Sequence, residues 1–194
     1  MATSKVLVTT GTGLLFSNST EYNAADQGDL ERTDTAPTAV QLDMGATAGN
    51  DTGECRASTK ADLTDDRAAA YAVFVSVEFE TAPVAGETVD LYWCPSVQST
   101  AGKGNPSFVS GTDAEYAGGN ATLAEGLAQL TFIGSLLMTV DANIQTGMVG
   151  VFVPSARYGC MLVHNNTSDD MNGTDGIEMA VLMEPIIDDI AAAV

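Results

Sequence analysis

Positive charge is what this chain has least of. Lys5, Arg32, Arg56, Lys60, Arg67, Lys103 and Arg157 are its only basic residues, no two of them adjacent, against 26 acidic ones, for a formal net charge of −19. Binding a polyanion requires clustered Lys and Arg that displace counterions, so no nucleic acid is expected as a partner. Histidine is scarcer still. Any Ser-His or Cys-His nucleophile would depend on His164, which stands alone, and the nucleophile-elbow pattern G-x-S-x-G is absent. We expect no catalytic residues and no enzyme. Cysteine is also sparse: Cys55, Cys94 and Cys160 are far apart, odd in number and without a C-x-x-C pair. They are expected as free thiols in a reducing cytoplasm, with Cys94 and Cys160 as small hydrophobes near strand positions and no zinc site. No apolar run reaches the roughly 18 to 20 residues that span a bilayer, so no membrane is expected. Met1 to Lys5 leads only into Val6-Leu7-Val8, so no secretion signal is expected either, and the N-x-[ST] triplets at Asn18, Asn50, Asn120, Asn165, Asn166 and Asn172 carry little weight.

What is there is a two-residue hydrophobic period, which places alternate side chains on opposite faces of a strand. Val73, Val75, Val77 and Phe79 alternate with Phe74, Ser76, Glu78 and Glu80. After a turn at Thr81 to Gly86, Val89, Leu91 and Trp93 point inward while Thr88, Asp90 and Tyr92 point outward, and the two runs are expected to pair as an antiparallel hairpin. Gln129 to Met138, Met148 to Val153, Tyr158 to His164 and Ile177 to Met183 fit the same template, separated by Gly, Pro, Asn or Asp. Such alternation marks sheets with one wet face. The expected fold is all-β, an antiparallel β-sandwich. Helical signal is scarce: Ala61 to Ala70 and Ala121 to Ala128 are each expected as a short helix or turn, and the Ile186 to Val194 tail as one more.

Lys5 to Thr9 and Ala39 to Leu42 read as strands, whereas the polar stretch from Ser17 to Ala36 reads as an extended arm or a loop that orders on assembly. We divide the chain into 1–45, an N-terminal strand and arm within the same assembly unit, and 46–194, the sandwich. The Gly-, Ser- and Asn-rich stretch from Gln98 to Gly119 is long for an irregular loop, and contacts are expected there first.

Candidate sites are few. Trp93 falls in the inward register and reads as core, not as a sugar platform. The run Asp169-Asp170-Met171-Asn172-Gly173-Thr174-Asp175-Gly176 clusters oxygen ligands of the kind calcium prefers, making Asp169, Asp170 and Asp175 a weak calcium candidate. It departs from EF-hand spacing, and a tight Asn/Asp/Gly loop between strands is the preferred reading. Gly11-Thr12-Gly13 lacks the third Gly, the Lys and the following helix of a phosphate loop. No metal or cofactor is expected.

Three segments carry a resemblance: Val89-Asp90-Leu91-Tyr92-Trp93-Cys94-Pro95-Ser96; then Gly104-Asn105-Pro106 with Val109 to Tyr116; then Val149 to Gly159, closed by Val163-His164-Asn165-Asn166-Thr167. Over roughly Ala70 to Ile187 the chain resembles tailed-bacteriophage virion structural proteins of β-sandwich type. The resemblance implies a jelly-roll-like capsid decoration or cement protein on the capsid exterior of the virion, made in the host cytoplasm. Its partners would be the major capsid protein or other virion proteins, and the chain itself would form a homo-oligomer, with a trimer favoured. The acidic surface fits an outward position, since it would repel packaged DNA. The alternative is a carbohydrate- or receptor-binding sandwich module of a tail or head fibre, using Tyr92, Tyr116 or Tyr158.

Overall fold

The computed structural model describes residues 11–18, 30, 36–45, 54–65, 67–171 and 179–186. In chain order the strands are β1 (Leu14–Ser17), β2 (Thr38–Ala39), β3 (Cys55–Ala57), β4 (Ala61–Asp62), β5 (Ala70–Val77), β6 (Thr88–Ser96), β7 (Ala114–Glu115), β8 (Thr131–Leu137), β9 (Gln145–Phe152), β10 (Tyr158–Asn166) and β11 (Ala180–Ile186). One α-helix, α1 (Leu123–Leu127), and a short 3-10 helix at Pro106–Phe108 stand among the described residues. The fold is all-β. Two sheets face each other, one in the order β2-β1-β11-β5-β9 and the other β7-β3-β10-β6-β8, with β4 added to β10 beyond the end of β3. Every pairing is antiparallel except β1 with β2.

Alternation decides which faces meet. Val73, Val75, Val77 and Phe79 from one sheet and Val89, Leu91 and Trp93 from the other are buried in a single core, joined by Met161 and Val163 of β10 and by Val181 and Met183 of β11. Phe16, Val40, Leu42 and Met44 enter the same core. The Trp93 indole packs edge-on to Phe16 and tilted against Phe152, with ring centroids 6.3 and 5.3 Å away. It presses against Gly159, where any Cβ would collide with the ring.

The hairpin expected between 73–80 and 88–94 does not form. β5 pairs with β11 and β9, whereas β6 pairs with β10 and β8, and residues 78–87 cross from one sheet to the other. Both runs carry an apolar face, and placing them opposite each other buries both at once, which a hairpin alone does not achieve. β11 also departs from the expected wet face. Its outward Ala180 and Leu182 are buried with Leu15 and Leu30, because it is a central strand covered from outside.

Of the short helix or turn expected over Ala61 to Ala70, a turn is what forms. Asp62 accepts a hydrogen bond from the Thr64 backbone N–H at 2.8 Å, and Thr64 adopts φ 63°, so a local turn replaces the first helical turn. The helix expected at Ala121 to Ala128 is present as α1, started by a reciprocal capping box between Thr122 and Glu125. The strand at Lys5 to Thr9, most of the Ser17 to Ala36 stretch and the tail after Ile186 lie outside the described residues; Ile186 itself ends β11. No helix among the described residues is long and apolar enough to cross a membrane.

Where β8 and β9 end the two sheets on the same side, the inner faces pinch together. A Cβ on Gly134 would run into the Val149 carbonyl, and one on Gly150 into the Ile133 carbonyl, so at these two points backbone lies against backbone, while Ile133, Leu136 and Val149 pack against the core. Both strands carry an irregularity at this point, between Leu91 and Tyr92 on the β6–β8 ladder and between Val73 and Phe74 on the β5–β9 ladder. Gly134→Ala is expected to destabilise the fold by about 2 to 3 kcal/mol in urea unfolding. Gly102→Ala, whose Cβ would meet nothing nearer than the Ser110 carbonyl at 3.8 Å, is expected to stay within about 0.5 kcal/mol.

Candidate functional site

Register brings the chain's only histidine into a polar row across the outer face of the second sheet. Cys55 of β3 sits opposite His164 of β10, His164 opposite Asp90 of β6, and Asp90 opposite Ser135 of β8. Nucleophile, imidazole and carboxylate are thus in line, yet the contacts differ from those of a relay. The Ser135 hydroxyl donates directly to Asp90 Oδ1 at 2.5 Å, while His164 Nδ1 lies 3.8 Å from Asp90 Oδ2 and has no hydrogen-bond partner. Cys55 is buried, and burial pushes its thiol well above the ordinary range, with Glu54 adding to the effect. Neither nucleophile is activated by the imidazole, as acyl-transfer chemistry would need. Burial works against the charged form of Asp90. The neighbouring His164 and the Ser135 and Thr88 hydroxyls outweigh it, holding the carboxyl below its usual value.

Beside this row lies a cleft of about 410 Å³, roofed by α1. Glu54, Asp90, Tyr92, His164 and Asn166 supply its polar edge, and Leu123 and Leu127 its apolar wall. Tyr92 stacks at a tilt on Phe132 with ring centroids 5.3 Å apart, and Phe132 is largely exposed. An aromatic pair next to two carboxylates and an amide is an arrangement that can receive a hydroxylated ligand. Of the other two tyrosines considered for such a role, Tyr116 is buried and bonded to Ser107, which removes it. Tyr158 lies under the Arg157 guanidinium, 5.2 Å from the ring centre.

The three cysteines, far apart in the chain, converge. Cys55, Cys94 and Cys160 share one buried cluster with Val109, Tyr116, Leu127 and Leu162, all three thiols free. Cys94 and Cys160 are direct partners across β6 and β10. What covers them is the 98–119 stretch, which is tied down. Lys60 Nζ lies 2.8 to 3.0 Å from Ser96 Oγ and from the carbonyls of Gln98, Thr100 and Lys103. Asn105 Nδ2 donates to the carbonyls of Ala101 and Val109. Arg56 reaches Asp113 at 2.8 Å, and Arg157 grips Asp62 with two nitrogens at 2.8 and 2.9 Å and Asp65 with a third at 2.6 Å. That grip holds the Asp62 carboxyl below its usual value. Partial burial lowers the pKa of the Lys60 ammonium.

Of the calcium candidate, Asp169 and Asp170 are described and Asp175 is not. Asp169 Oδ1 accepts from the Thr81 hydroxyl at 2.7 Å and Oδ2 from Ser168, so its carboxylate closes a loop against the 81–87 turn. Among the described residues no three His, Cys, Asp or Glu side chains converge as a metal site would require. Trp93 is fully buried in the core. The cleft itself escaped sequence reasoning. Its residues come from four separate stretches, and only the parity of Asp90, Tyr92 and His164 on the outward face hinted at it.

No known family, curated protein or solved structure matches this chain.

Two outcomes follow. Asp90 contributes stability that is fully present above the ordinary aspartate value of 3.8 and is lost as pH falls through its lower folded value. Ser135→Ala, which removes one of the hydrogen bonds that lower the folded value, should therefore be less stable than the wild type at neutral pH and lose less further stability on acidification, read as the urea midpoint along an acid series. Lys60→Met should release the 98–104 segment, seen as earlier protease cleavage there and faster alkylation of Cys94 and Cys160.

Proposed function

We propose that this chain is a non-enzymatic structural protein of a phage particle, decorating or cementing the outside of the capsid. In this reading its sandwich is jelly-roll-like, and its N-terminal stretch acts as an arm. The segments that carry the resemblance fall on β6, on the pinned loop and on β9 to β10. The observation that favours scaffolding most is the use of the rare cations. Lys60, Arg56 and Arg157 each hold a loop or turn to the sandwich through hydrogen bonds and ion pairs within the chain. The acidic remainder keeps many copies soluble side by side and disfavours contact with packaged nucleic acid. On this proposal the partners are the major capsid protein or other virion proteins together with further copies of the chain, in a trimer, on the virion exterior.

A second reading is supported by the cleft: a glycan- or receptor-binding module in which Tyr92 and Phe132 provide the platform and Glu54, Asp90 and Asn166 the hydrogen bonds.

Mixing the purified chain with empty particles or capsid subunits of the same genome and sedimenting them separates the two. Under the capsid proposal the chain pellets with the shell, and Tyr92→Ala pellets equally well. A chain that stays in the supernatant with every shell preparation overturns it. Retention on a glycan array that Tyr92→Ala abolishes would then establish the second reading.

A further inference from the structure

The β8–β9 rim has a composition unlike the rest of the molecule. From Gly126 to Ala156 the sequence carries one charged residue, Asp141, in a chain whose net charge is −19. Apolar side chains flank the rim on both sides. Phe132 and Leu137 stand on the outer flank of β8, and Met148 and Val151 on that of β9, each between 52 and 66% exposed. Their placement follows from register. Phe132 is opposite Tyr92 and Leu137 opposite Thr88, on the outward face of one sheet, and Met148 is opposite Phe74 and Val151 opposite Ala72, on the outward face of the other. Val140 and Val153 extend the exposed apolar surface at the strand ends. Water-exposed apolar side chains concentrated in one place mark a surface that is covered in the working state.

We propose that this rim is the surface through which copies of the chain associate with one another. Charge selects the occupant. Two bodies of charge −19 repel at every orientation that brings acidic faces together, and the rim is where they can touch without opposing carboxylates. A basic partner would instead be drawn to the acidic surface away from the rim. The same apolar patch on both sides of the contact is self-complementary, as an interface between identical chains requires. Ile133, Leu136 and Val149 of the same two strands pack inward against the core, so Phe132, Leu137, Met148 and Val151 are the apolar residues left for a partner. The proposal deepens the oligomeric part of the capsid reading, but it is tested with no shell present. Failure to bind a shell and failure to self-associate are therefore separate results.

Sedimentation velocity over a range of protein concentrations, at low and at high salt, provides the test. The wild-type chain should sediment as more than one chain, and more so at high salt, because screening removes the charge repulsion. Leu137→Glu combined with Val151→Glu should weaken association at least ~10-fold. Val97→Glu, at an exposed valine just past the end of β6 opposite to the end that pairs with Leu137, should leave it unchanged. If the glutamate pair unfolds the chain, judged by near-ultraviolet dichroism, Leu137→Ser with Val151→Thr replaces it with the same expectation. The proposal is overturned if the wild type sediments as a single chain under all conditions. It is equally overturned if a folded rim variant associates like the wild type, or if the Val97 control dissociates as readily as the rim variant.

Discussion

Everything in this fold depends on one requirement, that the apolar faces of β5 and β6 find each other across the interior. Val73, Val75 and Val77 on one side and Val89, Leu91 and Trp93 on the other are fully buried, and together they fix the separation and facing of the two sheets. At ~25 cal/mol per Å² of apolar surface removed from water, such residues dominate the driving force for folding. The large indole needs room that a normal strand pair does not offer, and Gly159 provides it by presenting bare backbone to the ring. β10, which carries Gly159, is thereby tied both to the core through Met161 and Val163 and to the outer cluster through Cys160 and Leu162. The candidate cleft and the cysteine cluster are consequences of that placement.

Polar interactions then decide the loops. With so few cations available, each of the well-placed ones holds several acceptors: Lys60 four oxygens in the 96–103 stretch, and Arg157 two carboxylates from the 62–65 turn. Exposed ion pairs add little to stability individually. Their effect here is geometric, since they set where an otherwise irregular segment lies and keep water from the thiols below it. The 98–119 stretch, although rich in glycine and serine, is therefore a covering layer.

Much of the strand content was legible because alternation is a local property. The inward set of β5 and β6, the burial of Trp93 and the placement of β8 to β11 all follow from parity along short runs. Pairing was not legible, because a run of alternating residues specifies a face without specifying a neighbour. The 78–87 segment serves as well for a sheet-to-sheet crossover as for a hairpin. β1 went unread because Leu14-Leu15-Phe16 is apolar on both faces and shows no alternation; it is buried by β11 on one side and enters the core on the other. The cleft was hidden for a related reason. Glu54, Asp90, Leu123 and His164 are neighbours only through the order β3-β10-β6 and the capped helix above it. The convergence of the cysteines likewise follows from strand order, which spacing along the chain does not encode.

The pinch between β8 and β9 gives the molecule a shape as well as a contact. A sandwich whose sheets stand apart around Trp93 and close to bare backbone at Gly134 and Gly150 is wedge-like in cross-section. At its thin edge the outer faces of both sheets lie within reach of one another, so a single surface laid against that edge would meet β8 and β9 together.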